Sequence, residues 1–160
     1  MKRILLVFAV AVFAISACNN ADKKEGEVPL TAKERADSLE KEVLEKEVME
    51  GHDIAMPKSM KIPNLQKETR RLIDSIDKLP AKAREAAAPY KAKLENVYKE
   101  LGDAYTSMEN WMNNFDYDSA KNNAGQRIKY LTDEKLRVNK VKDAVLGSLQ
   151  KADSLLKAKF

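Results

Sequence analysis

This chain has little of what interrupts a helix and little of what does covalent chemistry. It has five glycines, five prolines, one cysteine, one histidine and one tryptophan, and aromatics make up 6% of 160 residues. A single cysteine excludes an internal disulfide. One histidine, with no Gly-rich phosphate loop and no H-E-x-x-H, leaves catalysis almost nothing to work with. A C-x-x-C-H haem-attachment motif is also missing. The formal charge of +4 is spread among 29 basic and 25 acidic residues. That is a mixed, solvated surface and lacks the concentrated basic stripe of a nucleic-acid binder, so no nucleic-acid partner is expected.

What is present is helix-forming composition at a length that supports one domain with a real core. The N-terminus differs from the rest. Lys2 and Arg3 precede an uncharged apolar run from Ile4 to Ala14, too short for a membrane span of about 20 residues. The run leads into Ile15-Ser16-Ala17-Cys18. This sequence resembles the bacterial lipobox, an aliphatic and two small residues before a cysteine. The resemblance implies that residues 1–17 are a lipoprotein signal peptide, that Cys18 is lipidated, and that the mature chain is anchored to a membrane through it; an ordinary cleaved signal with a stray cysteine is the alternative. Acyl chains hold a protein through about 0.8 kcal/mol per buried methylene. Residues 18–30 then read as the lipidated cysteine and a polar, aperiodic tether. Asn19, rather than aspartate, after the cysteine points by analogy to the outer membrane, with the domain facing the periplasm or the outside.

Residues 31–160 read as a helical bundle domain. Thr31 and Glu34 have capping-box spacing. Apolar residues then recur with helical period through Ala36, Leu39, Val43, Leu44 and Val48. Pro57 and Pro63 each kink or end a helix. A second period runs from Leu65 to Leu79 and stops at Pro80. Ala81 to Phe115 is the cleanest helix, with Pro89 as a bend in its early turns. Residues 116–125 are the next break. A last helix carries Ile128, Leu131, Val138, Val141, Val145, Leu149, Ala152 and Leu156. Gly147 inside it costs about 1 kcal/mol relative to alanine, which packing must cover. The fold class is all-α: an elongated antiparallel three-helix bundle with a kinked first helix, or a four-helix up-down bundle if 57–63 is a full turn.

Two windows concentrate the soft and aromatic side chains. The first holds Met49, His52, Met56 and Met60; the second holds Met108, Trp111 and Met112. In an antiparallel hairpin turning at Pro80, His52 falls opposite Met108, and Met112 opposite Val48–Met49. Both topologies bring the windows to one level. The plain interpretation is core packing, in which methionine fills gaps near a kink and touches aromatics. The sharper one is a soft-metal site: Met49, His52, Met56 and Met112 are candidate Cu(I) ligands. Met60 and Met108 are reserves, Trp111 is a cover, and Asp53 is a second partner for the His52 ring. A b-type haem with His and Met axial ligands has less support, because a bundle of small and medium side chains would need an open pocket.

The segments H-D-I-A-M-P-K-S-M at 52–60, W-M-N-N-F at 111–115 and K-V-K-D-A-V-L-G-S-L-Q-K-A-D at 140–153 are similar to small helical envelope lipoproteins of Bacteroidota type. That family is often labelled "viral A-type inclusion protein", a label that reflects coiled-coil composition. It brings no catalytic or binding residues to carry over, and Pro63 departs from its pattern. Together these readings describe a non-enzymatic cell-envelope lipoprotein, a binding or interaction module with a candidate Cu(I) cluster. The alternative is a purely structural or chaperone-like helical scaffold, without metal, that contacts other envelope proteins.

Overall fold

Thr31 starts the first helix as its spacing predicts. Its hydroxyl accepts the Glu34 N–H at 3.2 Å, and the Glu34 carboxylate accepts the Thr31 N–H at 2.7 Å. Two of the orphan donors at the helix start are thereby satisfied. The computed structural model describes residues 29–157. The expected signal peptide, Cys18 and nearly all of the tether lie outside the described residues. Those described residues form four α-helical segments and no strand: α1 (Ala32–Ser59), α2 (Ile62–Asp77), α3 (Ala81–Asn114) and α4 (Ala124–Lys157). None of these helices is long and apolar enough to cross a membrane.

Four segments make three arms. Met60 and Lys61, between α1 and α2, keep right-handed helical dihedrals. The Lys61 N–H donates to the Lys58 carbonyl at 3.0 Å, a tightened i→i−3 bond, and Leu65 N–H returns to the Lys61 carbonyl at 3.3 Å. The step falls where Pro63 has no N–H to offer the Ser59 carbonyl. Pro63 itself sits in the first turn of α2, where a missing donor costs nothing. Pro57 stays inside α1. The chain therefore bends without reversing, and the four-helix up-down alternative is not the fold. Pro89 likewise lies within an unbroken α3.

Side-chain contacts give the direction of each arm. Going up the first arm, His52 meets Trp111, Gln66 meets the Tyr98 carbonyl and Asp77 meets Lys91, so α3 runs antiparallel to it. Going up α3, Tyr90 meets the Leu155 carbonyl, Glu100 meets Lys151 and Trp111 meets Glu134, so α4 runs antiparallel to α3. At 34 residues, α3 and α4 are each about 50 Å long. After the step, the first arm changes neighbour: α1 packs chiefly on α4, α2 on α3.

The buried residues explain this arrangement. On α3 they are Leu94, Val97, Leu101, Ala104, Met108 and Trp111, alternately three and four apart. Such a seven-residue repeat keeps one seam inward on a left-handed supercoil. On α4 the seam is Arg127, Leu131, Glu134, Val138, Val145, Ser148 and Ala152. The stripe expected from apolar residues alone had Ile128, Leu149 and Leu156 on it; these are only half-buried flanks, and charged residues take two of the inward places. On α1 the seam is Leu44, Val48, Gly51, Ala55 and Ser59. Leu39 and Val43, which belong to the apolar period of the sequence, are 64% and 56% exposed, because at about 100° per residue they fall on the side of α1 turned away from that seam. No packing covers Gly147: a Cβ built there meets nothing within 4 Å.

Candidate functional site

Met49, His52 and Met56 are spaced i, i+3 and i+7, so they form one flank beside the buried seam of α1. That flank faces α3. The His52 ring lies 5.7 Å from the Trp111 ring, tilted by 37°. The two windows do share one level of the bundle. The register is displaced from the symmetric hairpin by three residues, close to one helical turn, because His52 meets Trp111 rather than Met108.

Trp111 is the centre of this level. It is buried together with Leu44, Val48, Ala55, Met108, Leu131 and Val138, and Met56, Met112 and Phe115 pack against that cluster. Met49 is half-buried on the His52 flank. Met60 does not join: it is 66% exposed, on the outside of the step between α1 and α2. The His52 side chain is 23% exposed, and its Nδ1 lies 2.9 Å from the Asp53 carboxylate. Neighbours on a helix point about 100° apart, yet here the two side chains lean together. The Met56 sulfur is 3.8 Å from the Ser59 hydroxyl, which donates to the Met56 carbonyl at 2.8 Å. Among the described residues no three of His, Cys, Asp and Glu gather as metal ligands. Any metal held here would therefore rest on thioethers and one imidazole.

Sequence reasoning missed the polar half of the site. Glu134 is 2% exposed, and its carboxylate accepts the Trp111 indole N–H at 3.0 Å and the Arg137 guanidinium at 2.7 Å. Arg127 is equally buried; it donates to Glu45 at 2.9 Å and to the Ser119 carbonyl at 3.0 Å. Between these charges runs an aromatic stack. Trp111 stacks on Phe115 at 5.0 Å, Phe115 on Tyr130 at 6.1 Å, and the Arg127 guanidinium sits 5.6 Å from the Tyr130 ring. The Tyr130 hydroxyl accepts the Asp116 N–H at 2.7 Å. Burial pushes the Tyr130 phenol above its ordinary range, and that hydrogen bond opposes the shift in part. The signal for Glu134 was available: it stands midway between Leu131 and Val138 on a seven-residue repeat. A charge there reads as an interruption until its partner is seen.

Every buried side-chain nitrogen or oxygen among the described residues has a hydrogen-bond partner. The level is thus a tied layer of rings, thioethers and paired charges joining α1, α3 and α4. Beside it, Asn110, Asn114, Arg137 and Lys140 line an open groove over the Trp111–Glu134 pair. No protein-family profile, curated protein or solved structure matches this chain.

Proposed function

We propose that this protein is a lipid-anchored, non-enzymatic component of a bacterial cell envelope, an interaction module whose rigid helical bundle is held off the membrane by a short tether. One observation carries this reading: the junction of three segments. An apolar leader ends in Ile15-Ser16-Ala17-Cys18, twelve polar or mixed residues follow, and a helix begins at a complete capping box on Thr31. A leader and acylated cysteine fix the chain to a membrane. The resemblance to small helical envelope lipoproteins points the same way. The test is acyl-chain incorporation. Cells fed labelled palmitate should label the full chain and hold it in the membrane fraction. Cys18→Ala should lose the label and release the protein. An unlabelled, freely soluble wild-type chain would overturn the proposal.

A second reading adds a Cu(I) site to that module. Asp53 engages Nδ1 of His52, which leaves Nε2 as the nitrogen for a ligand, and Met56 and Met112 pack on the cluster around Trp111. Soft thioethers with one imidazole suit Cu(I). Anaerobic Cu(I) titration against a competing chelator tests it. One tight equivalent, lost in both His52→Ala and Met112→Leu, supports the site. Binding no stronger than background leaves a scaffold for other envelope proteins.

A further inference from the structure

The first three turns of α1 extend beyond the packed seam, whose first buried residue is Leu44. Their inner side is partly covered: Asp37 and Lys41 are half-buried, and Lys121 from the α3–α4 connection lines a groove with Ser38 and Glu42. Among the described residues, nothing covers the outer side. Ala32, Ala36, Leu39 and Val43 fall on one stripe at spacings of four, three and four, and all four are exposed. Leu39 and Val43 are the most costly to leave in water. The stripe has the form of a coiled-coil seam that lacks its partner.

We propose that this stripe pairs with the same stripe of a second copy, antiparallel, to form a two-fold dimer. The charges beside the stripe select that partner and direction. When two such helices align antiparallel, Ala32 faces Val43 of the other copy and Ala36 faces Leu39. The flanking positions then set Arg35 beside Glu42 and Lys33 beside Glu40, each twice by symmetry. All four flanking pairs are attractive. A parallel pairing keeps Arg35 near Glu40 but opposes Glu42 to Glu47. Only the antiparallel direction satisfies every flank, and it sends the two bundles away from each other. In the single chain Lys33 is held by Asp37 at 2.8 Å and is 82% exposed, so it remains available to a second acid. Twelve residues per copy make a small contact. Tethering both copies to one membrane would raise their effective concentration toward the millimolar range that such a contact requires. The pairing itself is read from residues 32–43 and stands apart from the anchor.

The test expresses two differently tagged full-length copies together and cross-links the cells before lysis, with co-purification of the cross-linked pair as the readout. Wild-type copies should co-purify. Lys33→Glu with Arg35→Glu makes all four flanking pairs repulsive and should reduce recovery about tenfold or more. Glu40→Lys with Glu42→Lys should do the same. Co-expressing one reversal with the other restores all four pairs, so their mixture should recover wild-type co-purification. That recovery cannot come from a variant that has merely unfolded. Three results would each overturn the proposal: wild-type copies that do not co-purify, reversals that leave recovery unchanged, and a mixture that stays apart.

Discussion

The indole N–H of Trp111 on α3 donates to the carboxylate of Glu134 on α4 at 3.0 Å, with both side chains out of water. An ionised carboxylate in a helical seam is tolerated only when its partners are supplied. Here the indole supplies one from α3 and Arg137 another from the next turn of α4. Glu134→Ala leaves the indole N–H without a partner and should destabilise by about 1–3 kcal/mol. Glu134→Gln keeps an acceptor and should cost less. Trp111 is the only tryptophan, so denaturant titration followed by its fluorescence reads this position directly. Equal losses in the two variants would mean that the indole bond contributes little.

Two glycines in helices should respond to alanine with opposite sign. A Cβ on Gly51 would stand 2.8 Å from Cγ1 of Val138, a branched side chain with little freedom to turn away. Gly51→Ala should therefore destabilise by about 1–3 kcal/mol, outweighing its gain in helix propensity. Gly147→Ala meets nothing and should stabilise by about 0.5–1 kcal/mol. Thermal unfolding of both variants gives the comparison, and a stabilised Gly51→Ala would refute the close approach of α1 to α4.

Ala120, in the connection between α3 and α4, has φ of 56°. A Cβ in the left-handed region is strained by about 1–2 kcal/mol. Ala120→Gly removes that strain and should raise stability by about 0.5–1 kcal/mol after the entropy cost of glycine. Chemical denaturation measures this, and a destabilised variant would contradict the backbone at this residue.

Acid should loosen the start of α1 first. Hydrogen bonds from Thr31 hold the Glu34 carboxyl below its ordinary value of 4.5. A group whose pKa is lowered by folding stabilises above its unfolded value and loses that contribution as pH falls through the folded one. Hydrogen-exchange protection of the first turn of α1, corrected for intrinsic rates, should be full at neutral pH and be lost progressively once the pH falls below the ordinary value of 4.5. Glu34→Gln should remove the pH dependence, while Thr31→Ala, which keeps the backbone N–H that bonds the Glu34 carboxylate, should lower the protection without abolishing its pH dependence. Protection unchanged by either would show that the cap does not hold this end.

Legibility in the sequence varied by the kind of signal. Helical period, the capping box and the two methionine–aromatic windows are local patterns, and local physics fixed them: the arms, the start at Thr31 and the shared level of His52 and Trp111 could all be anticipated. The exact register could not, since one helical turn of slip leaves an apolar stripe almost equally satisfied, and only packing chose Trp111 over Met108 as the neighbour of His52. Met60 looked like its companions and is outside, because it directly follows the buried Ser59 and so points about 100° away from the seam.

The sequence by itself determined that this protein is helical, that its first helix starts at Thr31 and that the arms are divided at Pro80 and within 116–125, and it left 57–63 as either a kink or a full turn. Tertiary structure decided that the chain does not reverse there, since continued helical dihedrals at Met60 and Lys61 carry the first arm from α4, where α1 packs, on to α3, where α2 packs. It also decided the places of Glu134 and Arg127, whose charges are tolerable inside because Trp111 and Glu45 reach them from other helices, Ser119 from the α3–α4 connection and Arg137 from the next turn of α4. Periodicity is a property of neighbours along one helix. A buried charge is settled by partners on another, and only the assembled bundle brings those together.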